Sequence, residues 1–161
     1  MSFDIITFTL IHVALSLLAM VAGLVVTGGL LAGRRLDGWT GIFLATTALT
    51  NITGFLFPFT RFLASHAVGI VSLLILPVVL WARYGKQLAG GWRRVFVVGS
   101  VTLLYLNVFV LVAQLFQRTP ALIASAPTQS EPPFVITQLG TLLVFLWLGR
   151  AALKGYSATT A

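Results

Sequence analysis

Apolar positions fall in five long blocks along the chain, separated by short clusters of charge. The uncharged runs are 5–32 (28 residues), 38–60 (23), 62–82 (21), 95–117 (23) and 132–149 (18). A helix rises about 1.5 Å per residue, so roughly 18–20 apolar residues cross a hydrocarbon core about 30 Å thick. The pattern predicts an all-α integral membrane protein, a single transmembrane domain over 1–161. Five transmembrane helices are expected, spanning about 5–32, 38–60, 62–82, 95–117 and 132–149. The first run is not expected to be a cleaved signal peptide. It lacks a basic leader, and Asp4 stands where lysine or arginine would be required. The connections 33–37, 61–65 and 83–94 are short, which predicts antiparallel neighbours in a compact up-down bundle. The outer loop, 118–133, is the long one, and its four prolines argue against a continuous helix.

Composition agrees with the pattern. The chain is 58% hydrophobic and only 8% charged, against about 25% charged in a soluble domain. A water-soluble globule is therefore excluded. No cysteine is present, so disulfides, thiolate metal sites and iron–sulfur clusters are excluded too. The net charge of +7 sorts by side of the membrane. Segments 33–37, 83–94 and the C-terminal tail hold eight basic residues, with Asp37 their one acid. The opposite side holds Arg61 and Arg118, balanced by Asp4 and Glu131. Basic residues accumulate on the cytoplasmic side, which predicts an outer N-terminus and a cytoplasmic C-terminus. Trp39, Trp81, Trp92, Trp147, Tyr84 and Tyr156 are expected to anchor the cytoplasmic headgroup layer. Orientation and anionic lipid account for the basic loops, so no nucleic-acid partner is expected.

Within the spans, small and polar residues mark the packing faces. His12, Ser16, Gly23 and Thr27 share one stripe of the first helix, and Gly29 with Gly33 has small-xxx-small spacing. The second helix carries Thr46, Thr50 and Thr53 beside Thr47, Asn51 and Gly54. Helix–helix hydrogen bonding explains a single serine or threonine. It explains Asn51, Asn107, Gln114 and Gln138 less well, because their amides need partners or water. Counting outward from the basic ends puts His12, His66, Gln114 and Gln138 in the outer layer and Asn51 and Asn107 nearer the midplane. The outer half is thus the expected pocket, with the loop 118–133 as its lid. Pro77 is expected to bend the third helix.

The chemistry that is missing narrows the function. No span contains Asp, Glu, Lys or Arg, which argues against proton relays and most ion-coupled carriers. Paired carboxylates, a G-x-S-x-G elbow and H-E-x-x-H are all absent, so an enzyme is not the expected class. His12 and His66, the only histidines, suggest b-haem between facing helices, with Gly69 admitting the macrocycle. A quinone is the other candidate, with Phe55, Phe57, Phe59, Phe62, Phe109, Phe116 and Phe134 as its apolar slot.

Four segments carry a resemblance: T-N-I-T-G-F-L-F-P (50–58), S-H-A-V-G-I (65–70), L-Y-L-N-V-F-V (104–110) and A-P-T-Q-S-E-P-P-F (126–134). They resemble an uncharacterised family of small polytopic bacterial inner-membrane proteins. The resemblance implies a multi-pass inner-membrane location and no catalytic activity. The leading expectation is a non-enzymatic accessory or anchor subunit. It would bind a membrane-protein partner or an amphipathic ligand at its outer half, through loop 126–134. Electron transfer with b-haem or quinone is the alternative, with His12, His66, Asn51, Asn107, Gln114 and Gln138 as the binding set. Passage of a small neutral solute is a third reading, opposed by the apolar cytoplasmic half.

Overall fold

A computed structural model describes residues 4–58 and 64–158, and every regular element among them is a helix. In chain order these are α1 (Ile5–Leu31), α2 (Asp37–Phe55), α3 (Ala64–Leu80), α4 (Trp92–Arg118), α5 (Pro120–Ser125) and α6 (Pro132–Ala158). A π-helical turn, Trp81–Gly85, prolongs α3. Four helical stretches are long and apolar enough to cross a membrane: Ile5–Leu31, Ser65–Gly85, Trp92–Arg118 and Pro132–Tyr156. Their outward faces are apolar as well. Leu74, Ile136 and Trp147 are each more than 60% exposed, a surface suited to lipid rather than water.

Within the remaining run, 38–60, the helix α2 ends at Phe55, and it is not among the four stretches long and apolar enough to cross. The last helix passes the expected boundary at 149 and reaches Ala158, so Arg150 and Lys154 are helical residues rather than a tail. Loop 118–133 contains α5 and is therefore partly helical.

Helix ends follow local rules. Asp4 accepts from the Ile6 N–H at 3.4 Å and caps α1. At its other end Gly33 turns the chain with φ +68. The Arg34 N–H donates to the Gly29 carbonyl at 2.8 Å and the Gly33 N–H to Leu30 at 3.2 Å, a Schellman closure. Gly33 is thus a stop signal, not half of a helix-packing pair. Gly29 instead makes room for the returning Leu36 side chain. Pro132 and Pro133 open α6, where a missing N–H costs no helical bond.

α1 packs against α2, α4 and α6, and α4 packs against α1, α3 and α6. Ala22, Val26, Phe43, Val97, Leu103 and Leu104 are buried where these helices meet. Gly23 creates the crossing: a Cβ there would stand 2.7 Å from Leu104 Cδ1 and 2.8 Å from Phe43 Cε2. At the far end of α1 the approach is backbone to backbone. A Cβ on Gly155 would lie 2.9 Å from the Leu31 carbonyl carbon and 3.1 Å from the Leu30 oxygen.

Two ends of the fold are tied by charge and by a wide turn. Arg83, its side chain only 9% exposed, donates to Asp37 at the start of α2 and so clamps the π-helical turn there. Arg35 lies 3.5 Å from the same carboxylate. The Lys86 N–H reaches the Trp81 carbonyl at 2.8 Å and the Leu88 N–H reaches Ala82 at 3.0 Å. That return holds Gln87 and Leu88 at positive φ and drives Leu88 into the core. Tyr156 is buried, with the Arg93 guanidinium 5.7 Å above its ring, so it is not an exposed anchor as its position had suggested.

Glycine substitutions on α6 separate packing from helix propensity. Gly155→Ala is expected to destabilise by about 1–3 kcal/mol, since the added methyl meets unyielding backbone. Gly140→Ala, with nothing within 4 Å of its Cβ position, is expected to be neutral or to stabilise by up to about 1 kcal/mol. Unfolding midpoints in one detergent check both, and a stabilising Gly155→Ala would refute the crossing.

Candidate functional site

The second helix positions both histidines, on different sides. His12 Nδ1 lies 2.8 Å from Thr53 Oγ1. Its ring meets Phe57 edge-on at 5.2 Å, and Phe57 packs on Phe8 at 4.9 Å. His66 packs against Phe55 at 6.0 Å. Thr53 and Phe55 point about 200° apart around α2, since each residue turns the helix by about 100°. The two imidazoles therefore approach α2 from different directions and do not face each other across one gap. The space beside Gly69 is occupied as well, because a Cβ there would stand 3.1 Å from Phe55 Cε2. Phe55 thus fills the place assigned to a macrocycle.

The amides are also dispersed. Asn51 Nδ2 donates to the Thr47 carbonyl at 2.8 Å and to Ser72 Oγ at 2.9 Å, which joins α2 to α3. Gln138 Nε2 donates to the Phe109 carbonyl at 3.1 Å, joining α6 to α4. Gln114 Oε1 accepts from Arg118 Nε at 3.0 Å on one helix. Each of these bonds to a residue outside the proposed set. The aromatics divide in the same way: Phe116 meets Phe134 at 5.3 Å, and Phe109 meets Tyr105 at 6.1 Å. Phe59 and Phe62 lie outside the described residues.

Several threonines satisfy themselves. Thr46 donates to the Ile42 carbonyl, Thr53 to Leu49, Thr137 to Pro133 and Thr141 to Thr137, each at 2.7–2.8 Å within its own helix. Ser16 does the same with His12 at 2.8 Å. Five buried polar atoms behave differently. Thr47 Oγ1, Thr50 Oγ1, Ser100 Oγ, Asn107 Nδ2 and Gln138 Oε1 have no partner among the described residues. Ser100 and Asn107 share the face of α4 that carries Leu104, and Thr47 and Thr50 share the face of α2 that carries Phe43. Those two faces meet over Gly23. An unsatisfied buried group costs about 1–3 kcal/mol, and ordered water commonly relieves it. The interior therefore offers neutral donors and acceptors, suited to water, hydroxyl or carbonyl groups. No cluster of three potential metal ligands occurs among the described residues.

The segment 118–134 is ordered by contacts the sequence did not advertise. Gln129, at φ +59, donates from Nε2 to the Ala113 carbonyl at 2.7 Å and accepts from Gln117 Nε2 at 3.1 Å. That clamps the loop to the end of α4, and Ala126 is buried beneath it. No spacing or motif marks Gln129 in the sequence. Glu131 closes a tight turn: Thr128 Oγ1 donates to its carboxylate at 2.8 Å, and the Thr128 and Ser130 N–H groups donate at 3.2 and 3.0 Å. Desolvation, the largest single influence, opposes the charged form. The Thr128 hydroxyl and the backbone N–H groups outweigh it and hold the carboxyl below the ordinary glutamate range. The Asp37–Arg83 pair was the more legible of the missed contacts, because Asp37 is the lone acid among the basic loops.

Among the described residues every regular element is a helix, and four helical stretches are long and apolar enough to cross a membrane, which marks the class as a helical membrane protein. No protein-family model, curated protein or solved structure matches the chain.

Two measurements test these placements. The folded-state pKa of Glu131 is lowered, so its contribution to the turn is present above the ordinary glutamate pKa and lost as pH falls through the lowered value. The Thr128 and Ser130 amide resonances are expected to titrate with a midpoint below that of an exposed glutamate. Glu131→Gln is expected to abolish that titration; an ordinary midpoint would refute the turn. Protein purified after haem-replete expression is expected to show no Soret band, since His12 and His66 share no gap. A band lost in both His12→Ala and His66→Ala would overturn the placement.

Proposed function

We propose that the chain is a non-enzymatic, multi-pass protein of the bacterial inner membrane. It acts as an accessory or anchor subunit and presents its outer segment, 118–134, to a membrane-protein partner or an amphipathic ligand. In this reading α2 is a fifth span, the N-terminus is outside and the C-terminus is cytoplasmic. The 19 residues of α2 reach about 28 Å, close to one hydrocarbon thickness. Thr46 and Thr53 return hydrogen bonds to their own helix, and Asn51 donates to Ser72, which supports burial of this part of α2 in a membrane. The eight-to-two bias of basic residues supports the orientation.

The observation that carries the proposal is the outer segment itself. α5 buries none of its residues, and Ile123 is 40% exposed. Yet the segment around it is held by Gln129, Ala126 and the Phe116–Phe134 contact. A short apolar helix, held in place by its flanks and uncovered, supports a docking role. The unpartnered interior groups are neutral hydroxyls and amides, which supports a non-enzymatic one.

A photoreactive residue replacing Ile123 in native membranes is expected to give one discrete protein or ligand adduct. Gln129→Ala, which releases the clamp on α4, is expected to cut its yield several-fold. Adducts with bulk lipid alone, unaffected by Gln129→Ala, would refute the proposal.

A further inference from the structure

One cavity lies in the other half of the protein from the expected pocket. A groove of about 500 Å³ opens between α3 and α4, away from the outer segment. Leu74, Ile75, Val78 and Val79 of α3 form one wall, and Val95, Val98, Gly99 and Thr102 of α4 form the other. Gly99 sets the floor, because Val79 occupies the space a Cβ would need. Pro77 lies in the α3 wall and removes a backbone donor there. Leu74, Val78, Val95 and Val98 are all exposed, so the groove faces the lipid-exposed side of the helices.

Its one charged lining residue is Arg94, at the end where α4 begins. The neighbouring cations are committed elsewhere. Arg83 is bonded to Asp37, Lys86 lies about 6 Å from the Trp81 and Trp92 rings, and Arg93 covers Tyr156. Asp37, the one side-chain acid among the basic loops, is already shared by Arg83 and Arg35. Arg94 therefore stands at the mouth of an apolar slot with the charge of an anion-binding group. From Arg94 to Thr102 the groove runs about 12 Å along α4, close to the roughly 15 Å depth of one leaflet's hydrocarbon. Depth, apolar walls and a single cation at the headgroup level match one molecule with one charge and one chain.

We propose that this groove is a specific site for an anionic glycerophospholipid. Its phosphate pairs with Arg94, and one acyl chain lies between α3 and α4 over Gly99. The site is independent of the outer segment, so its failure would leave the docking proposal standing, and the reverse.

The full chain, in mixed micelles of phosphatidylglycerol and phosphatidylcholine with identical acyl chains, provides the test by native mass spectrometry. One phosphatidylglycerol is expected to be retained in preference to phosphatidylcholine. Arg94→Gln is expected to reduce that preference about fivefold. Val98→Trp, which fills the groove from its exposed rim, is expected to abolish retention. Arg118→Gln, at the opposite end of α4, is expected to leave retention unchanged. Equal retention of the two lipids, or insensitivity to both Arg94→Gln and Val98→Trp in variants with wild-type helicity, would overturn the site. So would a disulfide-linked dimer of Val98→Cys, the only thiol in that chain, because a second copy would then cover the groove.

Discussion

Close approach at glycine is the constraint on which the arrangement rests. Lipid tails are as apolar as leucine, so burying a helix face against another helix gains little from the hydrophobic effect. What remains is contact, and contact falls off steeply with distance. α1 makes this contact on three sides. Gly23 lets Phe43 and Leu104 close over it from α2 and α4. Gly155 of α6 lies directly against the carbonyl groups at the end of α1. Bulkier residues at these crossings would push apart the helices whose faces form the core.

That packing also decides what the polar residues do. Once α2 lies between His12 and His66, Thr53 and Phe55 receive them separately. Asn51 and Gln138 become rivets between neighbouring helices, and threonines such as Thr46 turn back on their own backbone. The orphaned atoms of Thr47, Thr50, Ser100 and Asn107 lie on the α2 and α4 faces that meet over Gly23, and Gln138 Oε1 is orphaned as well. The chemistry of all five is that of neutral groups.

The two ends of the molecule differ physically. At the basic end, a buried guanidinium fixes α2 to the π-helical turn, while other cations lie over aromatic rings or face lipid. At the other end, charge is sparse, and order comes from amide and carboxylate hydrogen bonds in the 126–131 turn. The folded 126–131 turn and the apolar α3–α4 groove thus arise from different forces, in different halves of one small protein.

Helicity and the positions of four membrane-crossing candidates were legible in the sequence, because the cost of an unpaired backbone group in hydrocarbon depends on composition and run length alone. The polar stripes were legible too, as helix faces. Their partners were not. Helical periodicity says which residues share a face, but not which neighbour that face meets, and a two-residue step on α2 sends His12 and His66 to different sides. The end of α2 at Phe55, the Gln129 clamp and the α3–α4 groove were likewise decided only by tertiary structure. Each depends on distances between segments far apart in the chain, and those are set by which glycines allow two helices to touch.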